Sequence, residues 1–545
     1  MPFSFLLKTL GAVCDKRLDA LDREAMQDLL MKTIRTAFAH TLRAHVLVLT
    51  SFAVLCRVAI ADEAPIAAAA LPAIGSIDVR FQSFNIEMVG VTGGEFWKPY
   101  SAPDGVAKRQ DKAPAATIER TDLFGDQLPI DLTSPTLHKL ASALSPAYMR
   151  VSGTWANTTF FAESHSLQPP AGYKGVLTAR RWNELIEFSK AIDAPIVTSF
   201  AIGPPTRDPK GIWKPDQAQQ MLSATREAGG SIAAAEFMNE PDLPAIGGAP
   251  AGYGAAAFAR DFSAFQAFMK QTAPDVMILG PGTSGRSPAA ADLFSAAAPG
   301  IKAVSYHFYG ALSERCAGRH TADDALSEQW LSRTDRTLAF YSEFRDRLAP
   351  GKPIWLTETA ETACGGNRWS STFLDAFRYL DQLGRLAKAG VQVVMHNTLV
   401  GSDYGLLDEI TFRPRPNYWA ALLWRRFMGA VVLDSGVPIQ RGLHVYAHCQ
   451  RRAPGGVVLL VINNDPEGSH ELILANASAR FTLEAATLQD AVVRLNGTEL
   501  TGEAVDRLTG ASGTATDPGR VKFAPATISF LAISDAKNPD CKAGT

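Results

Sequence analysis

The sequence predicts an α/β protein, a (β/α)8 TIM barrel followed by a C-terminal antiparallel β-sandwich, and three observations carry that prediction. Short β-rich apolar runs alternate with amphipathic helical stretches eight times between Val79 and Phe427, the pattern of repeated βα units around a parallel sheet. After Gly429 the helical stretches give way to short strands separated by Gly, Asn, Asp and Pro turns, as in a sandwich. Two of the barrel runs end in a glutamate, and the C-terminal ends of barrel strands are where this fold carries its chemistry.

In chain order, residues 1–61 read as a leader. Arg35 and Arg43 precede an apolar run over 44–55, and Ala59-Ile60-Ala61 follows. A basic region, an apolar stretch and a small-x-small pattern predict a secretion signal cut after Ala61, which places the mature protein outside the cell or in the periplasm. The run is too short, and too soon broken by Arg57, for a stable membrane anchor. The thirty residues before it are polar and amphipathic, so Met31, followed by Lys32, is an alternative start. Cys14 and Cys56 fall in the leader. Cys316, Cys364, Cys449 and Cys541 remain, an even number compatible with two disulfides in an oxidising compartment, with three pairings open. Their spacings do not resemble zinc clusters, and no metal is expected.

Residues 62–78, rich in Ala and Pro over 64–75, read as a linker or as an edge strand of the sandwich. The barrel spans 79–428, with strands at 79–88, 147–152, 195–203, 231–239, 276–282, 301–309, 353–359 and 391–400. Between them, 182–192, 217–228, 255–271, 326–347 and 372–388 repeat apolar residues at three- and four-residue spacing, which predicts helices. The sandwich spans 429–545, with strands at 455–462, 470–474, 491–495 and 526–533. A non-periodic insertion over 95–131 follows the first barrel strand and carries Lys98, Lys108, Arg109, Lys112 and Arg120. Such βα loops build the active-site face of a barrel, so these cations are candidates to meet an acidic glycan. The alternative is a solvated surface loop.

The 545 residues, 46% hydrophobic, suffice for one large domain and a smaller one. Lys and Arg number 53 against 55 Asp and Glu, a formal charge of -2. That balance gives no overall attraction to nucleic acid or to an anionic membrane.

Glycoside hydrolysis needs two carboxyl groups converging on one anomeric carbon. Asn239-Glu240-Pro241 closes the fourth predicted strand, and Glu358 ends the seventh within Pro353-Ile354-Trp355-Leu356-Thr357-Glu358-Thr359. Strands four and seven face each other across a barrel mouth, so Glu240 is the candidate acid/base and Glu358 the candidate nucleophile of a retaining enzyme. Glu361 is the rival. Alternation puts it on the opposite face, and it is expected in a loop. Asn239, beside the acid, is expected to bond the sugar 2-OH. This chemistry requires no cofactor.

Several blocks resemble heparanases and related microbial β-glucuronidases, in the same order along the chain. They are Leu144-Ser145-Pro146-Ala147-Tyr148-Met149-Arg150-Val151-Ser152-Gly153-Thr154, Val304-Ser305-Tyr306-His307-Phe308-Tyr309, the Glu358 strand, Val393-Val394-Met395 and Pro416-Asn417-Tyr418-Trp419. The resemblance runs from about Phe81 to the C-terminus. It implies a retaining enzyme acting on glucuronides or acidic polysaccharides such as heparan sulfate. It assigns His307 and Tyr309 to the sugar subsite, with Glu87 and Thr154 also in the sugar-binding set. It gives Gly365 and Gly366 a backbone role in holding the glucuronate carboxylate, a close approach that glycine permits, and adds the Tyr404 hydroxyl to it. The family usually has a tyrosine before the glycines, whereas this chain reads Ala363-Cys364-Gly365-Gly366. Tyr446-Ala447-His448-Cys449 and Cys541 resemble the cysteines that link the sandwich strands in this family, which implies a Cys449–Cys541 bridge and leaves Cys316–Cys364. Residues 154–178 are short, so no internal segment is expected to be excised.

Two other readings use the same residues. A barrel β-xylosidase or endoglucanase would apply both acids to a neutral sugar, and a non-catalytic glycan-binding protein would hold sugar without turnover.

Overall fold

The computed structural model describes residues 64–100, 123–163, 168–510 and 512–542. The signal, the start at Met31, the cut after Ala61, Cys14, Cys56, Lys108, Arg109, Lys112 and Arg120 lie outside them. Eight strands and eight helices alternate: β1 Gln82–Glu87, α1 Pro135–Ser142, β2 Met149–Ser152, α2 Ala179–Ala191, β3 Ile196–Thr198, α3 Asp216–Glu227, β4 Ile232–Ala235, α4 Ala255–Thr272, β5 Met277–Ser284, α5 Ala290–Ala297, β6 Ala303–Leu312, α6 Arg333–Leu348, β7 Ile354–Ala363, α7 Phe373–Lys388, β8 Val393–His396 and α8 Pro416–Phe427. The strands pair in parallel in sequence order, and β8 closes the barrel on β1 through Val394 opposite Gln82 and His396 opposite Phe84. Each of the eight apolar runs supplies one strand. Helix starts follow local chemistry: the Ser134 and Thr178 hydroxyls accept from the amides of Leu137 and Arg181 and cap α1 and α2.

The barrel interior is stacked in layers two residues apart, because inward-facing positions alternate along a strand. The lower layer is apolar: Val197, Ala234, Leu279, Ala303, Trp355, Val393 and Met395 form one buried cluster, with Tyr148 packed against it. Two residues further along the chain stand Arg150, Glu236, Ser305, Thr357 and Asn397, all buried and all polar. The floor of the site is thus an apolar plug capped by a polar layer.

Two strand ends differ from expectation. β4 stops at Ala235, so Glu240 stands five residues past the strand rather than one. β7 runs on to Ala363 and contains a bulge: Tyr306 pairs with Leu356 but His307 pairs with Glu358, leaving Thr357 as the extra residue. The bulge lets consecutive residues reach inward, with Thr357 bonding Glu236 and Glu358 bonding Arg150. Glu361 consequently lies within the strand, not in a loop, and contacts Asn367 and Ser370 instead of the mouth.

The sandwich is a large antiparallel sheet and a two-stranded one. β9 Met428–Leu433, β10 His444–Gln450, β11 Val457–Asn463, β13 Ser478–Glu484 and β15 Thr527–Ile533 belong to the former, β12 His470–Leu474 and β14 Gly519–Phe523 to the latter. Ala73–Ser76 forms an edge strand beside β9. In β11, Val457, Leu459 and Val461 pack with Leu472, Leu474, Val521 and Phe523 in the sandwich core. Val458, Leu460 and Ile462 join Trp419, Trp424 and Phe427 in the core shared with the barrel. Burial on both faces explains a strand that is apolar without alternation. The strand expected over 491–495 shrinks to Arg494–Leu495. Among the described residues no helix is long and apolar enough to cross a membrane.

Candidate active site

The polar layer centres on Arg150 of β2. Its Nη1 donates to Glu358 Oε2 at 2.7 Å, its Nε and Nη2 donate to Glu236 Oε2 at 3.0 and 2.8 Å, and Nη2 also donates to Asn239 Oδ1 at 2.8 Å. A buried guanidinium requires such partners, since its desolvation is otherwise costly. Glu236 also accepts from the Thr357 hydroxyl at 2.8 Å. One arginine therefore ties the segment after β4 to β7, and Asn157 adds a second tie: its side chain accepts from the Asn239 amide and donates to the Asn239 carbonyl, both at 2.9 Å. The Asn239 NH2 has no protein partner among the described residues.

Glu240 and Glu358 converge. With His307 they present atoms that all lie within 4.8 Å of one another. Their surroundings differ. Glu358 is buried, which alone would raise its pKa, but His307, Arg150 and the Tyr309 hydroxyl, donating at 2.7 Å, overcome burial and hold it below the usual carboxylate range. Glu240 is pushed up, by burial first and by repulsion from Glu358, against the pull of His307. It is also the more open of the two, with 14% of its side chain exposed against 7%. Glu240 adopts φ 46°, a left-handed conformation uncommon for a residue with a side chain.

His307 Nδ1 stands 3.1 Å from Glu240 Oε1 and 3.7 Å from Glu358 Oε2. Burial disfavours its charged form, yet the carboxylates of Glu358, Glu236 and Glu240 lift it to about 10. Arg150 Nη2 lies 3.1 Å from Nε2 and pulls the other way. In either protonation state the Nδ1 proton faces Glu240.

Glu87, at the end of β1, forms the far wall. Asn397 donates to its Oε1 at 2.9 Å and to the Tyr309 hydroxyl at 2.9 Å, while Glu87 Oε2 is buried without a partner. A Cβ on Gly153 would sit 1.6 Å from that oxygen, so only glycine fits there. Thr154, one residue on, opens the turn Thr154–Thr158. Burial and then Glu358 push Glu87 to about 8. The ring of Tyr404 lies 6.5 Å from that of Tyr309, and Tyr404 packs with Ala360, Phe96 and Trp97.

Gly365 and Gly366, at φ 82° and 87°, border this wall. A Cβ on Gly365 would stand 2.6 Å from Trp97, and Gly366 lies against the Tyr404 amide. The Cys316–Cys364 bridge, with Cα atoms 6.4 Å apart, ties this turn to the segment Glu314–Cys316 that follows β6, and Cys449–Cys541 closes the sandwich. The ends of the insertion pair as strands Gly94–Trp97 and Phe124–Gln127. Lys98 supplies a backbone carbonyl to Arg315, whose guanidinium stacks 3.9 Å from the Tyr100 ring.

Glu240, Glu358, Asn239, His307, Tyr309, Glu87 and Tyr404 thus meet in one mouth. Arg150, Glu236, Asn157 and Asn397 join them, and sequence reasoning gave these four no role. Arg150 and Glu236 did leave a signal: each is a charge inside an apolar strand run, which has to find a partner.

Residues 125–384 match the family described as Glycosyl hydrolase family 79, N-terminal domain. The chain is 28% identical to heparanase-like protein 1 of Arabidopsis thaliana over 380 residues, 65% of this chain and 68% of that protein. It is 36% identical to the heparanase of Rattus norvegicus over 172 residues, 30% of this chain and 31% of that one. Against the hyaluronoglucuronidase of Hirudo nipponia it is 26% identical over 471 residues, 76% and 92% of the two chains. Among solved structures, a 4-O-alpha-L-rhamnosyl-beta-D-glucuronidase from Fusarium oxysporum superposes with a TM-score of 0.58 at 14% identity, over 85% of this chain and 99% of that one. The family 51 arabinofuranosidase from Xanthomonas axonopodis pv. citri gives 0.57 at 15%, over 85% and 97%. At such identities the structural likeness speaks to the fold alone.

Proposed function

The chain belongs to the heparanase-like glycoside hydrolases of family 79, and from that premise we propose that it cleaves β-glucuronide linkages in acidic glycans such as heparan sulfate, with retention of configuration. The observation that carries this reading is the convergence of Glu240 and Glu358, one carboxyl oxygen of each lying within 4.8 Å of one of the other. Retaining enzymes hold their carboxyl groups about 5–5.5 Å apart and inverting ones about 6.5–9.5 Å, to admit a water.

Glu358, kept ionised by Arg150, His307 and Tyr309, attacks the anomeric carbon as the bond to the leaving oxygen breaks. Glu240 gives that oxygen its proton. In the second step Glu240 takes a proton from water, the water oxygen bonds the anomeric carbon, and Glu358 departs as carboxylate. In the glycosyl-enzyme the esterified Glu358 carries no charge, Arg150 keeps Glu236 as its carboxylate partner, and Glu240, ionised once it has given up its proton, is held by His307 Nδ1. The free Asn239 NH2 faces the 2-OH, and the Gly365 and Gly366 amides with Tyr404 take the uronate carboxylate. Two disulfides fit export to an oxidising compartment after cleavage near Ala61.

Proton NMR of an aryl β-glucuronide during its first turnovers is the test. The β-anomer of free glucuronate is expected to appear first, and initial α-anomer would refute retention. Turnover of aryl β-xyloside with none of the glucuronide would shift the substrate to neutral sugars.

A further inference from the structure

We infer that the Cys316–Cys364 disulfide is a specificity clamp, holding the Gly365–Gly366 turn in the backbone conformation that receives a substrate carboxylate. The inference rests on the glucuronidase reading above and goes further, because it separates recognition of the acid from cleavage of the bond.

The turn is held by its carbonyls. Ala363 O accepts from the Ser313 amide at 3.2 Å, Cys364 O from the Ser313 hydroxyl at 3.3 Å, and Gly365 O from the Asp403 amide at 3.1 Å and the Ser402 hydroxyl at 2.9 Å. The amides of Gly365 and Gly366 donate to no acceptor among the described residues. A turn whose carbonyls are consumed and whose amides stay free is a receptor for an anion.

That conformation does not hold itself. Cys364, Gly365 and Gly366 stand at φ 62°, 82° and 87°, three consecutive residues in the left-handed region, and the first has a side chain that disfavours it. Asn367 anchors the far end: its side chain accepts from the Glu314 amide at 2.8 Å and donates to Glu361 at 3.0 Å, while its own amide donates to Glu361 at 3.1 Å. On the near side the bridge is the covalent anchor, joined to Cys316 in the segment Glu314–Cys316 that also feeds Asn367. The catalytic carboxylates are held by other means, Glu358 through Arg150 and Tyr309 and Glu240 through His307. Loosening the bridge should therefore misplace the amides and leave Glu240 and Glu358 in register.

The two disulfides differ in access. Cys449 and Cys541 are 0% and 2% exposed, whereas Cys316 and Cys364 are both half-buried. Mild phosphine treatment of the folded enzyme should open the second pair first, and peptide mapping after alkylation identifies which thiols are freed.

The experiment compares the untreated enzyme, the reduced and alkylated enzyme, and a Cys316→Ser/Cys364→Ser double variant on an aryl β-glucuronide and on the corresponding aryl β-xyloside. KM for the glucuronide should rise about 10-fold, the weight of one charge-assisted hydrogen bond, with kcat within about 2-fold and the kcat/KM for xyloside unchanged. An unmoved KM overturns the clamp, and so does an equal loss on both substrates, which marks the bridge as mere support. Should the double variant fail to fold, the reduced wild-type enzyme gives the same readout, with glucuronide KM and kcat deciding where xyloside turnover is too slow to follow. An untreated enzyme that hydrolyses xyloside and no glucuronide removes the substrate reading itself, a result distinct from failure of the clamp.

Discussion

Two buried arginines, Arg150 in the barrel mouth and Arg385 at the seam between barrel and sandwich, are assembled from the same parts. Arg150 meets Glu236 and Glu358 beside His307, and Arg385 meets Asp381, Glu328 and Asp335 beside His444. Both histidines are lifted by their carboxylates, to about 10 and about 9. The difference lies in what is left unmatched. At the seam, Asp381 takes Arg385 at 2.6 Å, His444 at 2.6 Å and the Tyr446 hydroxyl at 2.6 Å, so its carboxylate is saturated, and His444 Nε2, though it makes no aligned hydrogen bond, stands 3.3 Å from the Glu328 carboxylate. At the mouth, Glu87 Oε2 has no partner, the Asn239 NH2 is free, and Glu240 is both open to the cleft and held at a left-handed φ. A charge cluster by itself does not mark a site. Unsatisfied groups and strained backbone facing a cleft do.

Of the groups in the mouth, Glu358 should be the costliest to lose. Glu358→Gln should lower kcat on any glucuronide by on the order of 10^4-fold or more, since the nucleophile is lost, with the circular dichroism spectrum unchanged. Glu240→Gln should retain more activity on aryl glucuronides than on natural glycans, because a good leaving group needs little acid assistance. Near-native turnover by Glu358→Gln would remove it from the mechanism.

The seam answers differently. Arg385→Met should leave kcat of the folded fraction unaltered and lower stability by about 3 kcal/mol, because buried Asp381 loses one of its two cations and keeps only His444. That value is the lower end for a broken buried pair, as Glu328 and Asp335 are 39% and 49% exposed and gain back solvation. Urea unfolding monitored by fluorescence measures it. A loss of kcat with unchanged midpoint would make the seam part of the catalytic apparatus.

Legibility in the sequence follows the same division. The eight strands were readable because each is a local apolar run, and Glu240 and Glu358 because each follows one. α8 was not, since every residue but Arg426 is buried and a helix buried all round has no amphipathic period. β9, β10, β13 and β14 also lack a clean apolar run: β9 follows α8 with no turn between them, β10 mixes two histidines and a glutamine into its strand, and β13 and β14 carry polar or charged residues at alternate positions. The roles of Arg150 and Glu236 emerge only on barrel closure, which joins residues 86 apart in sequence. The bulge at Thr357 was equally hidden: strict alternation identifies the face of Glu361 but cannot say that Thr357 and Glu358 both turn inward.

The mildest test concerns pH, and it probes mouth and seam together. Glu87 is pushed from 4.5 to about 8 and Glu361 from 4.5 to about 7, in both cases by burial first and then by a neighbouring carboxylate. His444 is lifted from 6.5 to about 9 as Asp381 and Glu328 outweigh its burial. Each group holds a proton in the folded state that the unfolded chain has already released, so each contributes stability that is lost as pH rises toward its folded value. His307 adds in the same direction. Buried His396 and His448, lowered to about 3 and about 4, act oppositely, but only below the unfolded value of 6.5. Above pH 6.5 nothing among these groups opposes the decline. The thermal midpoint should therefore fall steadily from pH 6.5 to 9 by differential scanning fluorimetry. Glu87→Gln should flatten the part between 6.5 and 8, where the mouth contributes, and leave the part above 8, where His444 at the seam and His307 remain. A midpoint that climbs through this window, or a Glu87→Gln profile parallel to the native one, would show that the unmatched carboxyl of the mouth is not the proton reservoir its burial implies.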